Sequence, residues 1–155
     1  MSYQAKVLTV SDSVMRGERD DQSGPAVVKA LQDAGFEVVE QSTAPDGVAS
    51  VAGDLTRMAS AFVGLVVTTG GTGFGPRDLT PEGTAEVVDR PAPGLAEAMR
   101  RSSAVAPLSR GMAGVRGRAL VVNLPGSPKG ALECLAAIID LLPHAIAVLA
   151  GEQPH

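Results

Sequence analysis

The chain has 155 residues, enough for one domain with a sizeable core, and 45% hydrophobic content with a mean hydropathy of +0.16 excludes a disordered polymer. Aromatic residues are only 3%, so the core must be aliphatic, and a formal net charge of −4 argues against a nucleic-acid partner. A single cysteine excludes an internal disulfide and a Cys-built metal site.

Lys6 to Val10 is short, apolar and β-branched, and reads as a strand. It runs into Ser11-Asp12-Ser13 and a polar loop ending in Asp20 and Asp21, which read as solvated. Ser23-Gly24-Pro25 opens a helix; Val27, Val28, Leu31 and Ala34 keep its 3.6-residue period and Gly35 stops it. Phe36 to Thr43 alternates and reads as a second strand. Asp46 follows Pro45 and precedes a helical pattern of Val48, Val51, Leu55, Met58, Ala59 and Phe62, so it suits an N-cap and a functional carboxylate equally. Gly64 to Thr68 is a buried strand, followed by a glycine-rich loop. Thr80 is placed as an N-cap and Pro81 as the first residue of a helix reaching about Val88. Arg90 to Gly94 breaks that helix, and another covers about Leu95 to Ser103. Ala104 to Gly117, rich in Gly, Arg and Ser, matches no element. Arg118 to Asn123 is a strand, Ser127 an N-cap, and the last long helix runs from Pro128 to about Leu142. Pro143 kinks or ends it, and a short apolar helix reaches Ala150. The helices around Leu95–Met99 and Leu141–Ala150 are apolar beyond what one buried face needs, which suits contact with another subunit.

The pattern is βαβαβ, then helices, then βα. It predicts an α/β fold with a mainly parallel sheet and helices on both faces. No repeat or linker divides the chain, so residues 1–155 read as one domain. Met1 to Val10 lacks the basic and apolar regions of a signal peptide, the apolar runs look too short or too charged to span a bilayer, and cytoplasm is the default location.

Three strands deliver similar loops to one sheet edge: Thr9 to Asp12, Thr68 to Asp78, and Asn123 to Pro128. Ligands of such folds bind at the carboxyl ends of the strands. The middle loop, Thr69 to Leu79, holds four glycines, whose backbone N–H groups can approach an anion closely. It is neither a Walker A loop nor a dinucleotide fingerprint, because Pro76 stands where each needs another residue. The two histidines, His144 and His155, fall outside these loops, so a histidine base is not expected, and Cys134 reads as a buried thiol. The chemistry is left to Ser11, Asp12, Ser23, Asp46, Arg77, Asp78, Glu82, Ser109 and Lys129. Carboxylates beside an anion-binding loop repel phosphate unless a cation joins them, and Mg²⁺ takes one or two carboxylates together with substrate phosphates. The set fits phosphoryl or nucleotidyl transfer.

Taken together, Thr9-Val10-Ser11-Asp12, Ser23-Gly24-Pro25, Pro45-Asp46, Thr68-Thr69-Gly70-Gly71-Thr72-Gly73, Pro76-Arg77-Asp78-Leu79-Thr80-Pro81-Glu82, Pro93-Gly94, Leu108-Ser109-Arg110 and Asn123-Leu124-Pro125-Gly126-Ser127-Pro128 resemble the molybdopterin adenylyltransferase family, the Mog type of molybdenum cofactor biosynthesis protein, which includes the G domains of plant Cnx and gephyrin. The resemblance covers nearly the whole chain. It implies a three-layer αβα sandwich, the molybdopterin-binding fold, commonly assembled as a homotrimer. It also implies AMP transfer from Mg-ATP to molybdopterin, with a molybdenum-insertion protein as a possible partner. The essential aspartates fall on Asp46 and Asp78, which are also the metal candidates. Substrate contacts fall on Ser11, Asp12, Ser23, Thr69, Gly70, Gly71, Thr72, Gly73, Ser109, Asn123, Pro125, Gly126 and Ser127. A non-catalytic molybdopterin carrier or scaffold, like some MoaB relatives, is the alternative. Gly83 departs from the usual Ala, which should loosen its helix by about 1 kcal/mol.

Overall fold

The computed structural model describes residues 3–152; Met1, Ser2 and the last three residues, with His155, lie outside them. The described chain runs β1 (Tyr3–Val10), α1 (Asp12–Met15), α2 (Ser23–Asp33), β2 (Phe36–Ala44), α3 (Val48–Ala59), β3 (Gly64–Thr69), α4 (Thr80–Ala85), β4 (Arg90–Pro91), α5 (Pro93–Arg100), β5 (Ala113–Arg116), β6 (Ala119–Leu124), α6 (Pro128–Ile138) and α7 (Leu142–Leu149). One six-stranded sheet has the order β2-β1-β3-β6-β5-β4. The pairs β2–β1, β1–β3 and β3–β6 are parallel, while β6–β5 and β5–β4 are antiparallel.

Side chains alternate across the sheet, so each buried strand feeds two cores. Ala5, Val7, Leu65, Val67, Leu120 and Val122 meet α2, α5, α6 and α7 on one face. Leu8, Val10, Val66, Ala119 and Val121 meet Val51, Leu55 and Met58 of α3 on the other. The result is the expected helix–sheet–helix sandwich with a nearly all-aliphatic interior.

Several elements differ from the sequence reading. Ser11 caps a short α1 by accepting from Val14 N at 3.2 Å, where only loop was expected. Asp21 is not merely solvated: Oδ1 accepts from Gly24 N at 2.9 Å and Oδ2 from Thr9 Oγ1 at 2.7 Å. Asp21, rather than Ser23, therefore supplies the side-chain acceptor at the start of α2. Asp46 is not the N-cap of α3; Gly47 occupies that position, with no side-chain cap bond. Thr80 is already helical, behind Leu79, and α4 is shorter than expected because it ends at Ala85. Arg90-Pro91 becomes an edge strand, and the unassigned stretch contains a 3₁₀ turn, Ala106–Leu108, and β5. Gly83 is a packing device: a Cβ there would come within 2.8 Å of Val51 Cβ, so a bare Cα lets α4 seat on α3. Contrary to the sequence reading, the continuous helical run Pro128–Leu149 is long and apolar enough, by length and composition, to cross a membrane. In the fold its Ala131, Leu135, Ile138, Leu142 and Ile146 instead form the wall of one core.

Candidate active site

The parallel strands end in line. Val10 pairs with Ala44, Thr9 with Thr69, and Thr69 with Leu124. The segments that follow, beginning at Ser11, Pro45, Gly70 and Pro125, therefore leave the sheet side by side. Two hydrogen bonds stitch the middle pair: Gly70 N donates to Leu124 O at 3.0 Å and Thr69 Oγ1 donates to Pro125 O at 2.7 Å. Thr69, fully buried, thus commits its hydroxyl to the scaffold.

Two cavities open at this edge. One, of about 510 Å³, is lined by Ser11, Ser23, Asp46, Thr69, Gly70, Gly71, Asp78, Gly126 and Ser127, together with Thr9, Val10, Arg19, Asp20, Asp21, Gln22 and Pro128. The second, of about 390 Å³, is lined by Gly71, Thr72, Gly73, Asp78, Ser109, Pro125, Gly126 and Ser127, with Ser103, Val105, Ala106, Leu108, Gly130 and Cys134. Gly71, Asp78, Gly126 and Ser127 border both, so they form the shared wall. Most of the residues singled out in the sequence meet here. Asp12 and Asn123 line neither cavity: Asp12 gives its oxygens to Arg77 and Asp46 N, and Asn123 is buried, with Nδ2 donating to Thr68 Oγ1 and Thr84 Oγ1 at 3.0 Å each, and Oδ1 accepting from Met112 N. His144 lines neither cavity, and Cys134 is a buried thiol whose pKa burial pushes up.

The carboxylates are held by backbone. Asp12 N donates to Asp46 Oδ2 at 2.9 Å, and Asp46 N donates to Asp12 Oδ1 at 3.0 Å, a reciprocal clasp between the β1 and β2 exits. Arg77 closes it, donating from Nε to Asp12 Oδ2 and from Nη2 to Asp12 Oδ1 at 3.1 Å each, and from Nη2 to Asp46 O at 2.8 Å. The bond from Arg77 is the main cause holding the Asp12 carboxyl below the usual range. Asp46 goes the other way: burial is the largest cause of its raised pKa, and the charges of Asp12 and Asp78 add to it. Asp78 accepts from Gly75 N at 2.9 Å, so it pairs with its own loop rather than with Arg77.

The glycine loop is fastened by Arg110. Its N donates to Thr72 O at 2.8 Å, Nε to Gly73 O at 2.8 Å, Nη2 to Asp78 O at 2.6 Å and Nη1 to Glu82 Oε2 at 2.6 Å. The stretch that matched no element in the sequence thus supplies a clamp on the loop. Gly71, at φ +68°, lies between the loop and α4, where a Cβ would overlap Thr80 Oγ1 and come within 3.0 Å of Asp46 Oδ1.

A divalent cation fits the donor set. Among the described residues nothing donates a hydrogen bond to Asp46 Oδ1 or Asp78 Oδ1, while their other oxygens are anchored. Among the described residues no group of three or more metal-binding side chains exists, so two carboxylates would need substrate phosphates to complete a shell, as Mg²⁺ prefers.

Comparison with known proteins agrees with this architecture. Residues 6–144 match the family model described as a probable molybdopterin binding domain. A protein from Helicobacter pylori strain J99 named molybdopterin adenylyltransferase is 37% identical over 152 residues, covering 94% of this chain and 86% of that one. A Synechococcus elongatus protein named molybdenum cofactor biosynthesis bifunctional protein is 36% identical over 151 residues, covering 95% of this chain but 47% of that one. The crystal structure of the molybdopterin biosynthesis enzyme MoaB from Thermus thermophilus superposes with a TM-score of 0.91 at 46% identity, covering 97% of this chain and 98% of that one. With its fold, its strand-end loops and these matches in accord, the chain belongs to the molybdopterin-binding domain family of molybdenum cofactor biosynthesis.

Proposed function

We propose that this protein transfers AMP from Mg-ATP to molybdopterin, giving adenylyl-molybdopterin and pyrophosphate. The observation that carries the reading is the shared wall: Asp78 borders both cavities and Asp46 stands in the polar one, so two anionic substrates can meet beside two carboxylates. A terminal phosphate oxygen of molybdopterin attacks the α-phosphorus of ATP, the bond to the β-phosphate oxygen breaks, and pyrophosphate leaves with its electron pair. The nucleophile is ionised at neutral pH, so no histidine base is needed. Bound Mg²⁺ would neutralise phosphate charge and hold it in line. Asp46 Oδ1 and Asp78 Oδ1 are the atoms to hold it. Gly71 and Gly73 offer backbone N–H groups, Ser11, Ser23 and Ser109 offer hydroxyls, and Gly70 with Pro125 to Ser127 forms the facing wall.

The protein works in this reading as a cytoplasmic homotrimer, with a molybdenum-insertion protein receiving its product. Incubation with Mg-ATP labelled at the α-phosphate and molybdopterin should yield labelled pterin. A protein that binds molybdopterin tightly but never consumes ATP is a carrier instead.

A further inference from the structure

Thr80 is fully buried, and among the described residues its Oγ1 is the buried side-chain oxygen or nitrogen with no hydrogen-bond partner. Its own backbone groups and the hydroxyl one turn on are paired. Thr80 N donates to Gly71 O at 3.1 Å, Thr80 O accepts from Thr84 Oγ1 at 2.8 Å, and Thr84 Oγ1 accepts from Asn123 Nδ2 at 3.0 Å. A buried hydroxyl without a partner costs stability, and a valine of the same shape would not carry that cost.

The position of the hydroxyl says what it is for. It rests against the bare Cα of Gly71, and the point where a Gly71 Cβ would sit overlaps Thr80 Oγ1 and is 3.0 Å from Asp46 Oδ1. A donor without an acceptor and an acceptor without a donor thus flank one glycine. Asp46 is meanwhile pinned at Oδ2 alone, by Asp12 N. A carboxylate held at one oxygen can swing; held at both, it presents its remaining lone pairs in one direction.

We propose that Thr80 is a positioning residue for the transfer reaction: its hydroxyl donates to Asp46 Oδ1 when the anionic substrates fill the cavity, fixing the carboxylate at both oxygens. Neither group has a hydrogen bond to give up in making this one, and Oδ1 keeps a second lone pair for a cation. The role rests on the AMP-transfer reading above and deepens it. It is separate from the clasp with Asp12, which sets where Asp46 stands rather than how its carboxylate is turned.

The test compares Thr80→Val and Thr80→Ser with the parent protein for melting temperature, KM and kcat. Thr80→Val should melt at or above the parent temperature and keep KM for both substrates within about twofold. Its kcat should fall roughly ten- to a hundredfold, the worth of one hydrogen bond to a charged group. Thr80→Ser, which keeps the hydroxyl, should recover kcat to within about threefold. Thr80→Val turning over at the parent kcat overturns the proposal and leaves the transfer reading standing. So does a Thr80→Ser as slow as the valine variant, or a valine variant that loses activity only because it melts several degrees lower. A parent protein that makes no adenylylated pterin overturns the transfer reading, and the role of Thr80 with it.

Discussion

Asp46 and Asp12 each hold the other through the peptide N–H, and the two carboxylates are thereby set to different tasks. Asp12 gives both oxygens to Arg77 and acts as a brace, while Asp46 keeps Oδ1 for the cavity. Asp46→Asn keeps an oxygen to accept from Asp12 N but removes the charge. It should leave the melting temperature and molybdopterin binding nearly unchanged and lower AMP transfer by at least about 100-fold, measured with labelled ATP. Transfer at the parent rate would deny Asp46 its role. The pH dependence follows from Arg77. A carboxyl with a lowered folded pKa gives stability that is present above its unfolded pKa and is lost as pH falls through the folded value. Arg77→Met should return Asp12 toward its ordinary range, so acid unfolding begins at a higher pH. Acid titrations of the two proteins followed by circular dichroism check this, and coincident curves would contradict it.

At the scale of elements, the site depends on fits that local sequence does not display. The glycine loop carries few side chains that could hold its shape, and Arg110 does so from outside, through three backbone carbonyls and Glu82. Arg110→Met keeps the backbone bond to Thr72 O but strands the Gly73 and Asp78 carbonyls, and should cost about 1–3 kcal/mol by urea unfolding, with faster hydrogen exchange at Gly75 N. Unchanged exchange there would mean that the loop keeps its own shape. Gly83→Ala sets two effects against each other. Helix propensity gains about 1 kcal/mol, whereas forcing a methyl against Val51 costs about 1–3 kcal/mol. Net destabilisation is expected, and a higher melting temperature would refute the packing role. The strands β1, β3 and β6 were legible because short, continuous, β-branched apolar runs bounded by polar or glycine-rich turns suit a strand buried on both faces. The role of Arg110 was not, because the partners of its side chain lie 28 to 37 residues away. Asp46 looked like an N-cap because proline and a helical run flank it, but the chain turns one residue later, at Gly47, and its carboxylate faces Asp12 instead. Strands β4 and β5 have two and four residues and owe their pairing to the sheet edge rather than to any pattern of their own.

For the whole molecule, the in-register ends of four parallel strands do most to make a site; three of the loops followed from the βα pattern, and the exit of β2 at Pro45 joins them. The division into two cavities did not, since it depends on how the loops after β3 and β6 lean together at Gly70 and Gly126. Leu141 and Val148 remain exposed at 54% and 45%, on the C-terminal helical surface whose apolar excess suits subunit contact. Light scattering at micromolar concentration should give three times the chain mass, and Leu141→Glu with Val148→Glu should lower it; a monomeric parent would rule the trimer out. The Arg110 clamp also has a consequence in time. A chain made from its N-terminus completes residues 70–82 before Arg110 exists, and before Leu124 and Pro125 can receive Gly70 and Thr69. Chains halted at Val105 should therefore be cut by protease between Gly73 and Pro76, where the finished protein resists. The cavities at the strand ends would then stay open until synthesis is nearly over, so that a half-made chain has no finished site in which to hold a ligand.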